Sequence, residues 1–387
     1  MQLGEVVVKS TRPSTTIKGN ALVTNVAGSS LALAGTANDV LVRVPMVVDN
    51  GGTIEVFGKG SPAIYINGRK VNDLQELSQL NSQDIKNVEV ITNPGSAYSA
   101  DVKSVIRIRT KPPKGDGFGG TLRTDNGFQH YFRTGNTIDL KYRTGGLEIF
   151  ANYGWWKGST RFDRINDMNT TTSNGTYRQL VSTIGKESYN DMNGKLGFAY
   201  LVNDRHSIGA YYQNSWNRHH TDGTIPSEIW QDGSLLDRYS SSVHNQSAAV
   251  PRHYANLYYN GMVGKLNIDF NADYLWYKSR ELTFNNELSE KGNDREVNTS
   301  SVGHNRMFAE KLVLSHPLWR GQIEAGQEYT NTRTANLFTA NIPEVPDADN
   351  RVDESNIAAF VELGQQFGRF MVGVGPVSYT HLTLPTT

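Results

Sequence analysis

Few residues in this chain of 387 are spaced for chemistry, and those few suggest binding rather than bond-making. Arg107 and Arg109 stand two apart in the alternating run Val105-Ile106-Arg107-Ile108-Arg109, so both guanidinium groups share one face of a strand. They can pair with acids on a second strand, with Asp269 and Asp273 as the candidates. The alternative is a solvent-facing edge, where an exposed pair contributes little. Trp156, Trp216 and Trp230 fall at strand ends or in polar connections, where rings can stack on a sugar or an aromatic ligand. The alternative is an aromatic girdle at a membrane interface, which we prefer for Trp155 and Trp276. His219-His220 offers two imidazoles, but neighbours on extended backbone point to opposite sides, so a solvated loop is the favoured reading. Asp347, Asp349 and Asp353 miss the spacing of an EF-hand Ca²⁺ loop and read as a solvated acidic loop. No metal site and no cofactor is assigned.

Catalytic signatures are missing. There is no phosphate-binding Gly-Lys-Ser/Thr loop, no His-Glu-x-x-His and no Gly-x-Ser-x-Gly elbow. Gly115-Asp116-Gly117-Phe118-Gly119-Gly120 superficially resembles a dinucleotide loop, but it precedes a strand instead of a helix. We therefore expect a protein that is not an enzyme.

The elements that must position these residues are strands. In Leu266-Asn267-Ile268-Asp269-Phe270-Asn271-Ala272-Asp273-Tyr274, even positions are apolar and odd positions polar. A period of two means that one face meets apolar surroundings and the other meets water. Similar segments lie near 117–126, 131–143, 147–160, 189–202, 207–217, 253–263, 265–282, 304–315, 322–333, 355–367 and 370–375. Short turns join them near Gly145, Asn203-Asp204, Gly264, Arg320-Gly321 and Gly368-Arg369. Long polar connections are expected at 161–188, 218–252, 283–303 and 334–354. Alternating short and long connections are the pattern of an outer-membrane β-barrel.

Ahead of these strands, residues 21–113 form a compact mixed segment. Thr53–Gly58, Ala63–Ile66, Arg69–Val71, Asn87–Ile91 and Ser104–Thr110 read as strands, and Asn67-Gly68 is a strong two-residue hairpin signal. Leu74, Leu77 and Leu80 have helical spacing, with Asp73 as N-cap. Lys111-Pro112-Pro113-Lys114-Gly115 is a hinge. In residues 1–20, Glu5-Val6-Val7-Val8 is a β-branched run on a polar tether. Such a run can add as a strand to a partner's sheet edge, or can be the ordinary first strand of a preceding domain.

Composition agrees with this organisation. Lys plus Arg and Asp plus Glu balance at 38 each, which gives no electrostatic case for a nucleic-acid partner. There are no cysteines, which excludes disulfide scaffolds and Cys-based metal sites. No apolar run approaches the ~20 residues of a transmembrane helix, a test that β-strands escape. Met1-Gln2-Leu3-Gly4-Glu5 is not a signal peptide, so an outer-membrane reading expects one upstream of a fragment. Residues 376–387, Pro376-Val377-Ser378-Tyr379-Thr380-His381-Leu382-Thr383-Leu384-Pro385-Thr386-Thr387, break the strand pattern and resemble translated adapter read-through, a non-native tail.

Residues 40–111 resemble the plug domain of TonB-dependent outer-membrane receptors, in the version found in Bacteroidetes. The resemblance is carried, in family order, by Leu41–Pro45, Ile54–Gly60, Ile64–Arg69, Asp84–Ile91, Asn93–Tyr98 and Val105–Lys111. Lys103-Ser104 stands where many relatives have a small Ala-Gly step. The resemblance implies a mainly β protein: a small α+β plug domain, followed by antiparallel transmembrane β-barrel strands, about half of the roughly 22 of a full barrel. It implies domains at 1–20 (TonB-box-like segment and tether), 21–113 (plug) and 114–375 (N-terminal part of the barrel). It further implies import of a nutrient (siderophore, vitamin, glycan or peptide) into the periplasm, powered through TonB and its inner-membrane motor. Glu5, Val6, Val7 and Val8 then match the TonB box, outer-membrane lipid surrounds the barrel, and a surface lipoprotein is a further candidate partner. Two alternatives stand beside it. One is an outer-membrane adhesin or scaffold without active transport, which the plug-like segment argues against. The other is a soluble all-β binding protein, which the short-long rhythm argues against.

Overall fold

A computed structural model describes residues 11–18, 20–71, 74, 77, 80–94, 98, 102–111, 116–203, 205–247, 251–368 and 370–385. The chain is mainly β, with a small mixed sheet followed by a large antiparallel one. Glu5–Val8 and Asp73 lie outside the described residues.

The N-terminal part contains β1 (Thr15–Lys18), β2 (Ala21–Asn25), α1 (Ala37–Leu41), β3 (Val47–Asn50), β4 (Thr53–Val56), β5 (Ala63–Ile66), β6 (Arg69–Lys70), β7 (Ile85–Ile91) and β8 (Val105–Thr110). Six of these strands form one sheet in the order β1-β2-β7-β8-β5-β6. Only β5 and β8 pair in parallel, and β3-β4 is a separate hairpin. Thr15–Lys18, expected as tether, instead pairs with β2, because Thr15, Thr16 and Ile17 are β-branched and meet Thr24, Val23 and Leu22.

Alternation along β8 sorts its side chains. Ile106 and Ile108 point into the main core with Val40, Leu41, Leu77, Ile85, Val88 and Val90. Val105 joins a second cluster on the opposite face, with Ala21, Val23, Ile91, Tyr65 and Tyr98. Burying each large aliphatic side chain contributes about 1.5–3 kcal/mol, so the first cluster supplies the main hydrophobic stabilisation of this part. Helix α1 is only five residues long and depends on its cap. Thr36 accepts from the Asp39 amide, and Asp39 accepts back from the Thr36 amide at 2.9 Å.

The large sheet comprises β9 (Gly117–Phe128), β10 (Phe132–Thr144), β11 (Leu147–Thr172), β12 (Gly175–Asn203), β13 (His206–Gln231), β14 (Ser234–Ser247), β15 (Arg252–Val263), β16 (Leu266–Ser289), β17 (Arg295–Leu318), β18 (Gly321–Ala340), β19 (Ala348–Phe367), β20 (Phe370–Val374) and β21 (Val377–Pro385). Sequence neighbours pair antiparallel, with two departures. β13 pairs with β15 along His206–Ser215 and with β14 along His219–Gln231, and β16 does the same from the other side. β14 and β15 therefore lie end to end and fill a single line of the sheet. β20 and β21 share the β19 edge in the same way, on either side of Gly375-Pro376. Val377–Pro385, which sequence alone leaves as a stray tail, is thus paired with Val352–Phe360.

The expected long loops are mostly strand. β12 runs for 29 residues, about 95 Å at roughly 3.3 Å per residue. Polar composition at 161–188 and 218–252 masked this, since Asn, Ser and Thr at both faces look like loop. Asp232-Gly233, with φ of 47° and 82°, is the tight turn that closes β13 onto β14, and that pair was a legible hairpin signal.

Two measurements test this packing. Ile106→Ala should cost about 2–5 kcal/mol locally, seen as at least tenfold faster amide exchange in β7 and β8. The Thr36 cap holds the Asp39 carboxyl below its ordinary value of 3.8. A depressed folded value stabilises above the unfolded pKa and stops doing so as pH falls through it. The advantage of wild type over Asp39→Asn in α1 exchange should be about 0.5–1 kcal/mol near pH 6 and should vanish toward pH 2.

Candidate functional site

The second face of the small sheet looks into a cavity of about 1500 Å³. Its other side is built from β10 to β18, so the large sheet curls around the small one. Parity decides which side chains enter. Asn267, Asp269, Asn271 and Asp273 of β16 line the cavity, as do Met307, Lys311 and Ser315 of β17 and Gln322, Glu324 and Glu328 of β18. The alternate residues Ile268, Phe270, Tyr274 and Trp276 therefore occupy the outward face.

Arg107 and Arg109 both face the cavity, as their spacing requires. Arg107 Nε donates to the Tyr98 hydroxyl at 2.9 Å, and Arg109 Nε pairs with Glu89 at 2.9 Å. Burial raises the pKa of the Tyr98 hydroxyl, and the Arg107 guanidinium beside it opposes that shift. The wall candidates divide. Asp269 lies in electrostatic range of Arg107 and Arg109 across the cavity and of Lys311 on the neighbouring strand β17. Asp273 instead accepts from Tyr254 and from Asn256 and Asn271 on the large sheet itself. Among the described residues, the ion-pair partner of both arginines is Glu89, on the neighbouring strand of their own sheet.

The direct contacts between the sheets involve residues that sequence reasoning did not single out. Asn260 Nδ2 donates to the Asn67 carbonyl oxygen at 3.0 Å. Lys311 Nζ lies 5.7 Å from the centre of the Tyr98 ring, a cation–π approach. Glu324 adds a carboxylate in range of Arg107. The Asn67-Gly68 turn meets the large sheet so closely that a Cβ on Gly68 would lie 2.5 Å from Asn260 Oδ1 and 3.1 Å from Asp269 Oδ2. Gly68 also has φ of 87°, so the backbone favours glycine, and any side chain there would in addition have to push the Asn260 side chain aside. Alternation placed Asn260, Lys311 and Glu324 on a polar face, but nothing in the sequence could match them to the Asn67-Gly68 tip.

The three tryptophans separate. Trp156 shares the parity of Glu148 and Phe150 and points inward, its ring lying across Gly135 and Gly154. Trp216 has the parity of Tyr212 and stands on the outward face, 48% exposed, so it does not line the cavity. The expectation of a substrate-facing Trp216 is corrected by one residue of parity. Trp230 has the outward parity too, and its indole Nε1 is buried without a hydrogen-bond partner among the described residues.

Outward aromatics recur at several levels, with Tyr212 and Tyr274 at intermediate positions, and two of these levels can be traced across strands. Trp155, Met192 and Trp216 are successive cross-strand partners. His253 and Trp276 pair two residues lower and stack with centroids 4.6 Å apart. The second level runs through Ile208, Tyr259 and Phe270. On β13 the levels are eight residues apart, from Ile208 to Trp216, or about 26 Å along the strand.

The predicted acidic and histidine groups also resolve. Asp347 accepts from the Ala340 amide, Asp349 lies near Arg351, and Asp353 pairs with Arg333, so these three carboxylates have separate partners. His219 faces inward, its two ring nitrogens 2.9 Å from Glu187 and 3.0 Å from Asp191. His220 faces outward. Both lie within β13, where a loop was expected.

No family model matches the sequence, and no curated protein does. Among solved structures, the chain is similar to the ferric preacinetobactin receptor BauA of Acinetobacter baumannii, at 11% identity and TM-score 0.33, covering 89% of this chain and 63% of that one. It is similar to the ferric citrate transporter FecA at 11% identity and TM-score 0.32, covering 90% and 63%. It is also similar to the ferric yersiniabactin uptake receptor FyuA of Yersinia pestis, at 11% identity and TM-score 0.29, covering 94% and 79%. The chain spans less than two thirds of the length of the first two.

Gly68→Val tests the contact between sheets. A β-branched residue at positive φ, pressed on Asn260, should unseat the turn at a cost of more than about 1–2 kcal/mol. Amide exchange in β5 and β6 should rise at least fivefold, while β16 and β17 stay unchanged.

Proposed function

We propose that this chain is part of a TonB-dependent outer-membrane receptor that imports a nutrient into the periplasm. The small sheet acts as the plug and the large sheet as part of a barrel wall. The observation that carries this reading is the two-sidedness of the large sheet. Its inward face presents Asp269, Glu324, Lys311 and Asn260 to a cationic and hydroxylic face of a separate small domain. Its outward face carries an apolar and aromatic band that runs from Ile208 to Trp216 on β13, about 26 Å along the strand or roughly 20 Å perpendicular to a membrane at a ~40° tilt, of the order of the ~25 Å apolar band of membrane barrels. A soluble sandwich would bury the apolar face and wet the polar one, the opposite arrangement.

Transport through such an assembly follows from the kind of contact made. The plug is held by hydrogen bonds, a cation–π approach and charges across a wet cavity, not by an apolar seam. Contacts of this kind exchange with water at little net cost, about 0.5–1.5 kcal/mol each, so a pull on the plug can release them in sequence. The pull would come through Glu5–Val8 adding as a strand to TonB, ahead of β1. The outer membrane has no nucleotide supply, so the energy must enter from the inner membrane. The protein binds and moves its substrate and is not an enzyme. Substrate would enter past Trp156 and the inward ring of His219 above the plug. A siderophore, vitamin, glycan or peptide all fit this description.

Deleting Glu5–Val8 in the full-length gene should abolish energised uptake while leaving surface binding of the nutrient intact. Uptake that continues at the wild-type rate, or failure of TonB to co-purify with the undeleted protein, would remove the basis for active transport.

A further inference from the structure

We propose that His220, Asp222 and His244 form a transition-metal site on the outward face of the large sheet. The three residues come from two adjacent strands. Asp222 of β13 and His244 of β14 are directly opposed in the ladder. His220 stands two residues before Asp222, on the same face. Sequence alone favours a solvated loop at His219-His220 and offers His220 no companion on its own face. His219 points inward, and the true companion lies 24 residues on, in a strand that sequence did not reveal.

The donor geometry suits a first-row dication. His220 Nε2 lies 3.1 Å from Asp222 Oδ2, and His244 Nδ1 lies 2.5 Å from Asp222 Oδ1. One donor atom from each residue falls within 4.8 Å of the others, and no other such group of three occurs among the described residues. In a tetrahedral site with metal–ligand bonds of about 2.0–2.1 Å, donors sit about 3.3–3.4 Å apart. The donor separations, from 2.5 Å to at most 4.8 Å, bracket that value, and side chains roughly a third to a half exposed have rotamer freedom to adjust to it. Two imidazoles and one carboxylate, with a fourth position open to water, favour Zn²⁺, Cu²⁺ or Ni²⁺ over Ca²⁺ or Mg²⁺.

The surroundings orient His244. The Gln246 side-chain amide lies 3.0 Å from His244 Nε2, on the side away from Asp222. The amide nitrogen is the atom beside Nε2 and donates to it, so the ring proton sits on Nδ1 facing Asp222; an ion bound through Nδ1 replaces that proton and requires the amide to turn over, so that its oxygen accepts from Nε2–H. Phe284 flanks His244, with ring centroids 6.1 Å apart, and His220 meets His244 edge-on at 4.2 Å. An ion here would tie β14 to β13 near the place where β14 and β15 meet end to end.

The test is metal titration of the purified full chain in detergent, with ZnCl₂ by calorimetry and with Cu²⁺ by electron paramagnetic resonance. Wild type should bind one ion, and the Cu²⁺ spectrum should show coupling to two imidazole nitrogens. His220→Ala and His244→Ala should each weaken binding at least tenfold and reduce the coupling to one nitrogen. Asp222→Asn, which keeps shape and folding, should also weaken binding at least tenfold. His219→Ala should bind as wild type does, because that ring stands on the other face. Absence of binding in wild type, unchanged affinity in both His220→Ala and His244→Ala, or an equal loss in His219→Ala would overturn the assignment. None of these readouts depends on transport.

Discussion

The arrangement rests on the two-residue period in the part of the large sheet around the small one, clearest in β16, which turns a mainly polar face inward and an apolar face outward. A sheet of this kind is poorly suited to closing around a dry core: Asp273 and Lys311 find partners within the sheet, but Asp269 and Glu324 face inward, and an uncompensated buried carboxylate costs several kcal/mol. Something polar has to fill the interior. The face of β8 that carries Arg107 and Arg109 meets that demand, while the other face of the same strand builds the apolar core that holds the small domain together. One strand thus serves two surroundings, and Val105, Ile106, Arg107 and Ile108 divide between them strictly by parity.

Much of this was legible in the sequence, and what was missed has physical causes. Period-two alternation in Leu266–Tyr274 set the inward and outward faces correctly, and Asn67-Gly68 gave the turn that touches the large sheet. The same rule put His219 and His220 on opposite sides. The substrate-facing expectation for Trp216 came from its position near a strand end and not from this rule, which puts the residue on the outward face. The outer halves of β11 to β14 were missed because strands beyond an apolar layer need no apolar face. Their Asn, Thr and Ser residues are held by ladder hydrogen bonds, which leave no trace in hydropathy. Which pairs meet across the cavity was not readable at all. Asn260 and Asn67 are 193 residues apart, and their contact depends on how two separately folded parts fit together.

The contacts between the two parts are few, directional and wet, in contrast to the dense core of the small domain. Tyr98 lies at the junction. It is packed with Tyr65 and Val105, bonded to Arg107 and approached by Lys311 from the large sheet. A single aromatic residue thus joins an apolar cluster, a cation of its own sheet and a cation of the facing one. This separates the stability of the small domain from its attachment: the hydrophobic cluster decides the first, and the polar contacts decide the second.

The end-to-end placement of β14 and β15 has a consequence for how the sheet holds together. A continuous strand transmits a shift in register along its whole length, so its ladders slip together or not at all. Here the line between β13 and β16 is made of two pieces, and each keeps its own register. The lower piece is locked by Tyr254, Asn256 and Asn260, and the upper by hydrogen bonds from Asn245 to Glu281 and Thr283. β14 can therefore fray or re-pair against β13 and β16 without disturbing the rows of β15 that grip the small domain, while the continuous strands on either side hold the rest of the wall in one register. The line is a fixed lower half with a separately zipped upper one.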